Sequence, residues 1–152
     1  MIKQIYDKNE KEKITKKVLS DLTEWFGIPE YTQDYIKQSS QMIFFAAYHN
    51  DLSVGFISLK PTSEYTAEIY CMGVMKQYHR CGYGKELLEK FESYAKLNGF
   101  KLLQVKTVEN GRYEVYNKTN SFYKAMGFYE LEVFPNIWDE WNPCQVYVKP
   151  IA

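Results

Sequence analysis

The chain has 152 residues, 45% hydrophobic and 25% charged, which is enough for one ordinary core and one domain over residues 1–152. Lys+Arg 19 balance Asp+Glu 19 for a formal net charge of +0. That argues against a general nucleic-acid or membrane-surface binder, which needs a basic excess. Mean hydropathy is -0.46, and no apolar run approaches the roughly 18 residues that cross a bilayer.

After a short apolar start, Lys8 to Trp25 is charged with spaced Ile14, Val18, Leu19 and Leu22, an amphipathic helix pattern that Gly27-Ile28-Pro29 ends. Pro29 suits the first turn of a second short helix running through Tyr35 and Ile36. Met42 to Tyr48 reads as a buried strand, and the turn His49-Asn50-Asp51 joins it to a second strand, Leu52 to Leu59, as a hairpin. Thr66 to Met75 is a third strand, in which Gly73 predicts a bulge. Gly82 to Asn98 is the clearest helix, with Leu87, Leu88, Phe91, Tyr94 and Ala95 on its apolar face and Gly99 as its C-terminal cap. Leu102 to Val108 is a strand, Val115 to Met126 a helix stopped by Gly127, and Tyr129 to Phe134 and Gln145 to Lys149 close the chain as strands. The order αα-βββ-α-β-α-ββ predicts an α/β layer architecture, a mixed sheet flanked by helices.

The segment after Met1 to Ile5 is charged and does not read as a secretory leader. Cys71, Cys81 and Cys144 are odd in number and lack Cys-x-x-Cys spacing. Neither a disulfide framework nor a metal site is expected, and a cytoplasmic location fits.

The turn Gln77-Tyr78-His79-Arg80-Cys81-Gly82-Tyr83-Gly84-Lys85 joins the third strand to the clearest helix. A glycine-rich turn that opens a helix suits anions, because the first helical N–H groups lack internal partners and the helix dipole is positive there. A Rossmann fingerprint fails at Leu87, where a third glycine belongs, and a P-loop fails at Glu86, where Ser or Thr belongs.

The stretch Ala67-Glu68-Ile69-Tyr70-Cys71-Met72-Gly73-Val74, followed by Gly82-Tyr83-Gly84, resembles the core motif of the GNAT acetyltransferase superfamily, whose Gln/Arg-x-x-Gly-x-Gly/Ala loop binds the pyrophosphate of acetyl-CoA. Phe122-Tyr123-Lys124-Ala125-Met126-Gly127-Phe128 is similar to a second block of that family. Trp25 to Pro29, Glu132 to Trp138 and Asn142-Pro143-Cys144 resemble a bacterial subgroup of unassigned acceptor. His79 departs from the family's Gln or Arg, and Asn120 replaces an Arg usual in the subgroup.

The resemblance implies an acetyl-CoA-dependent N-acetyltransferase that transfers acetyl directly to a primary amine in a ternary complex. It implies that the backbone from His79 through Arg80, Cys81, Gly82, Tyr83 and Gly84 to Lys85 holds the pyrophosphate. Met72 and Val74 would pair with the pantetheine arm as if it were a strand, and the Met72 N–H would polarise the thioester carbonyl. Tyr116 stands where many members carry a cofactor-contacting Asn, and Asn117 is the candidate cofactor contact of that helix. Glu68 is the candidate general base and Tyr123 the candidate general acid.

Each role has a plainer alternative. Glu68 also reads as a solvated strand residue on the outer face, and Tyr123 as a core aromatic; by alternation Glu68 and Met72 share a face unless a bulge at Gly73 intervenes. Cys71 and Cys81 as covalent nucleophiles are disfavoured, Cys71 as a core residue and Cys81 as part of the phosphate loop. A non-catalytic acyl-CoA-sensing module is the competing function. Aromatic residues make up 17% of the chain. Phe44, Phe45, Phe91, Phe122 and Phe128 fall on core faces. Trp25, Phe26, Tyr31, Tyr35, Trp138 and Trp141 fall in segments expected to line the acceptor side, where a cationic amine meets aromatic faces. The acceptor stays open between a small amine, an antibiotic, a protein lysine and an N-terminus, and a homodimer stays open too.

Overall fold

Strand alternation and helix periodicity sort the apolar residues onto the two faces of one sheet. In a computed structural model residues 1–151 are described, and Ala152, the last residue of the expected domain, lies outside the described residues. The elements are β1 (Ile2–Ile5), α1 (Lys8–Asp21), α2 (Pro29–Ser39), β2 (Ile43–His49), β3 (Leu52–Pro61), β4 (Thr66–Val74), α3 (Tyr83–Leu97), β5 (Leu102–Val108), α4 (Glu114–Ala125), β6 (Tyr129–Asp139) and β7 (Asn142–Pro150). A single 3₁₀ turn, Lys76–Tyr78, follows β4. The strands form one 7-stranded sheet in the order β1-β2-β3-β4-β5-β7-β6. Among the described strands only β4 and β5 run parallel, joined by α3 as a crossover.

The helices lie where their apolar stripes require. Leu87, Leu88, Phe91 and Ala95 of α3 pack with Phe45, Ile57, Leu59, Ile69, Leu103 and Val105 on one face of the sheet, and Tyr123 of α4 joins them. Ile14, Val18 and Leu19 of α1, with Leu22, cover Phe44, Ala46, Phe56 and Cys71 on the other face. Asp7 caps α1 by accepting from the Glu10 N–H at 2.9 Å. Helix α1 stops at Asp21 rather than Trp25, and the Leu22 N–H closes it on the Leu19 carbonyl. Among the described residues no helix is long and apolar enough to cross a membrane.

Two elements depart from the sequence pattern. The start of the chain is a strand, β1, whose four residues pair with β2 from Ile2↔Ala47 to Ile5↔Phe44. The last hairpin is longer than its apolar runs, and β7 sits between β5 and β6.

Asn120 ties α4 to the sheet. Its Nδ2 donates to the Val108 carbonyl at 2.9 Å and the Tyr116 carbonyl at 2.7 Å, and its Oδ1 accepts from the Tyr147 hydroxyl at 2.5 Å. The residue is 1% exposed, so truncation orphans several buried polar groups at once. Asn120→Ala is expected to cost about 2–4 kcal/mol, read as a lower midpoint in urea unfolding. An unchanged midpoint would show that water replaces the amide without loss.

Candidate active site

The sheet opens at its only parallel pair. The β4·β5 ladder runs from Thr66↔Leu102 to Ile69↔Val105 and stops there. The cause lies on the other side of β4, where Leu59 pairs with Ile69 but Ser58 pairs with Cys71. Tyr70 is therefore the extra residue of a bulge, which bends β4 away from β5. The bulge expected at Gly73 is not there, since Gly73 pairs regularly with Phe56. Gly73 instead makes room for α1: a Cβ there would lie 2.8 Å from Leu22 Cδ1 and 3.0 Å from Val18 Cγ1.

The bulge reverses the side-chain parity of β4. The expectation that Glu68 and Met72 share a face is overturned. Glu68 falls with Cys71 and Gly73 on the α1 face, and Met72 falls with Ile69 and Val74 on the α3 face. Backbone directions follow the same register. The Met75 N–H donates to the Val54 carbonyl of β3 at 2.8 Å. Alternation then turns the Val74 and Met72 N–H groups away from β3, into the fork. The Val74 carbonyl accepts from His79 Nε2 at 2.6 Å, so the His79 side chain folds back onto β4.

The loop beyond β4 presents unused donors. Arg80 has φ 63 and Gly82 φ 86, and such left-handed residues turn successive amides toward one side. The first helical bond of α3 runs from the Glu86 N–H to the Gly82 carbonyl at 3.0 Å. Among the described residues, no group accepts from the amides of Arg80 through Lys85. Arg80 and Lys85 are exposed and make no ion pair with a described residue. Gly84 lies under Phe122, with 3.4 Å from its would-be Cβ to Phe122 Cε1. His49 Nδ1 and the Tyr83 hydroxyl are 2.8 Å apart, which ties the loop to the β2–β3 hairpin.

Glu68 and Tyr123 approach the fork from opposite faces of the sheet. The Glu68 side chain is 7% exposed and pairs with Lys106 of β5, Nζ to Oε1 3.3 Å. Tyr123 is buried among Phe122, Phe128 and Tyr147, with ring centroids 5.3, 5.6 and 6.2 Å away. Its hydroxyl makes no hydrogen bond with a described residue, yet no fully buried side-chain oxygen among them lacks a partner. The phenol oxygen is therefore not completely sealed, although Tyr123 as a whole is buried. Burial pushes the Tyr123 phenol up, with the Cys71 thiol adding to the effect, so it holds its proton at neutral pH.

Asn117, in the first turn of α4, accepts from the Gly111 N–H at 2.6 Å, which closes the β5–α4 loop. Tyr116, the next residue back, donates its hydroxyl to the Trp25 carbonyl at 2.9 Å, and Trp25 Nε1 donates to Thr119 Oγ1 at 3.1 Å. Trp25 also meets His79 edge to face at 6.0 Å. The α1–α2 loop thus joins α4 and the amide loop across the fork. Of the other aromatics expected there, Phe26 and Tyr35 pack against each other at 5.5 Å, and Tyr35 against Tyr70 at 5.5 Å. Tyr31, Trp138 and Trp141 are exposed and stack on no described ring. Sequence reasoning missed Tyr70 and Lys106; the one signal for Lys106 is a lone cation within the apolar run of β5.

The cysteines separate by burial. Burial pushes the Cys71 thiol up and the Cys144 thiol up to about 11, whereas Cys81 is exposed in the amide loop. Iodoacetamide at neutral pH is expected to give one adduct on the native protein, at Cys81, and to slow when acetyl-CoA is added. Peptide mapping that finds Cys71 or Cys144 labelled in the native protein would contradict this.

A mixed sheet parted at its only parallel pair, with a free amide loop at the head of the crossover helix, defines the N-acetyltransferase class of fold. The chain belongs to the acetyltransferase (GNAT) family, which matches residues 4–128. It is 32% identical over 94 residues to the probable N-acetyltransferase 14 of Xenopus tropicalis, a stretch covering 61% of this chain and 46% of that protein. The chain thus spans about half the length of that curated relative. The solved structure of a GNAT-family protein from Desulfovibrio desulfuricans shares the fold with TM-score 0.86 at 19% identity, over 100% of this chain and 99% of that one. A GNAT acetyltransferase from Elizabethkingia anophelis, solved with acetyl-CoA bound, has TM-score 0.68 at 20% identity over 85% and 87%.

Proposed function

We propose that this chain is an acetyl-CoA-dependent N-acetyltransferase that passes acetyl directly to a primary amine in a ternary complex. The observation that carries this reading is the fork: free amides at its mouth, a buried carboxylate on one face and, on the other, a buried phenol whose hydroxyl has no partner among the described residues. Acetyl-CoA supplies an acetyl thioester. The amides from Arg80 to Lys85 hold its pyrophosphate, the His79 N–H expected among them being spent on the Lys76 carbonyl at 3.1 Å, with Asn117 as a further contact, and the outward amides of Met72 and Val74 orient its pantetheine arm. The Met72 N–H polarises the thioester carbonyl. Glu68 takes one proton from the acceptor ammonium, directly or through one water, and the free amine then forms the C–N bond. Tyr123 gives its proton to the departing thiolate as the C–S bond breaks, and the phenolate recovers a proton from the acetylated nitrogen. With buried Cys71 and Cys144 thiols pushed up, no thiolate beside Glu68 competes for the acetyl group.

The test is CoA thiol release over a panel of primary amines: a small polyamine, an aminoglycoside, a lysine-containing peptide and a peptide with a free N-terminus. Intersecting initial-rate lines and no acetyl adduct on the enzyme with acetyl-CoA alone are expected. Tyr123→Phe is expected to lower kcat about 10- to 100-fold without weakening acetyl-CoA binding. Acetyl-CoA binding with no amine-dependent release from any member of the panel returns the sensing module.

A further inference from the structure

We infer that Lys106 is a positioning residue for this transfer, holding the Glu68 carboxylate at the base of the fork. The inference rests on Glu68 being the base. It comes from where β5 leaves the ladder. Glu68 is level with Gln104, and Val105 makes the last rung, so Lys106 is the first β5 residue beyond the parallel pairing. Two residues past Gln104, it projects from the same face as Glu68.

Nothing else described holds the carboxylate. Glu68 makes no hydrogen bond to a side chain or loop amide, and Lys106 is its only ion-pair partner among the described residues. Its cross-strand neighbour Lys60 turns its ammonium over the Tyr70 ring, 5.8 Å from the centroid. The pair is unequal in exposure, with the Lys106 side chain 37% exposed and that of Glu68 7%. Cys144 lies close enough to both that its thiol is lowered by Lys106 and raised by Glu68. The three groups thus share one face at the fork. A carboxylate with free rotamers cannot meet an ammonium in one repeatable geometry, and proton transfer falls off with such misplacement.

The experiment uses the full chain with whichever amine of the panel above is acetylated fastest. Lys106→Met is expected to lower kcat about tenfold, with acetyl-CoA affinity unchanged, and Lys106→Arg to recover most of the loss. The inference is overturned if Lys106→Met keeps wild-type kcat, if the loss falls in acetyl-CoA affinity instead, or if Lys106→Arg rescues nothing. Glu68→Gln separates the two readings. If Glu68→Gln retains turnover, the base assignment fails and Lys106 falls with it; if only Lys106→Met retains turnover, the base stands and Lys106 alone falls. A second measurement needs neither an acceptor nor a stable Lys106→Met variant. Carbodiimide coupling of the native protein is expected to join Lys106 to Glu68 as an amide found by peptide mass spectrometry, and its absence overturns the pairing.

Discussion

Glu68→Gln is expected to lower kcat about 100- to 1000-fold while acetyl-CoA affinity stays within about threefold. The substitution keeps the shape and the burial of the side chain and removes its charge and its capacity to take a proton. The amide leaves the Lys106 ammonium without its counter-charge, but that side chain is 37% exposed and water solvates it in place. The fold should therefore tolerate the change. Steady-state rates with the best panel amine and a direct acetyl-CoA titration decide it. Retained turnover would reduce Glu68 to a paired strand residue at the edge of the fork. Lost acetyl-CoA binding would mean that the variant had closed or distorted the fork instead.

The second large effect is expected at Gly82. Its φ of 86 is left-handed, and nothing lies within 4 Å of a would-be Cβ, so the objection to a side chain is backbone conformation and not crowding. A valine there costs about 1–2 kcal/mol or more to hold left-handed, and the loop relieves that strain by turning its amides apart. Gly82→Val is expected to weaken acetyl-CoA about 10- to 100-fold, measured by isothermal titration. Gly99 is the control. It has φ 84 and equally open space at the other end of α3. Gly99→Val should lower thermal stability by a similar amount and leave acetyl-CoA affinity alone. Equal losses of affinity in both variants would assign the effect to α3 as a whole.

Much of the fold was legible because its signals are local. The apolar stripe Leu87, Leu88, Phe91 and Ala95 and the Gly99 cap place α3 within a residue of its observed ends. The apolar run and turn residues place β2 within a residue of its ends and start β3 at Leu52, although β3 runs two residues past Leu59 to Pro61. β1 escaped because Ile-Lys-Gln-Ile is too short to show a period, and its strand state exists only through pairing with β2. α1 was overextended because Trp25 continues an apolar pattern. That residue's indole is spent on Thr119, 94 positions away.

The site divides along the same line. Glycine placement points to the amide loop, and the resemblance of the two motif blocks makes Glu68 and Tyr123 candidates, since each is a property of a short stretch of chain. The bulge at Tyr70, the reversal that sets Glu68 and Met72 on opposite faces, and the Lys106 partner of Glu68 depend on register between strands distant in sequence. Alternation fixes which way a side chain points only relative to its neighbours on an unbroken strand. Where β3 and β4 slip by one residue, the choice passes to the packing of α1 and α3 on the two faces of the sheet, and that packing forms only in the folded chain.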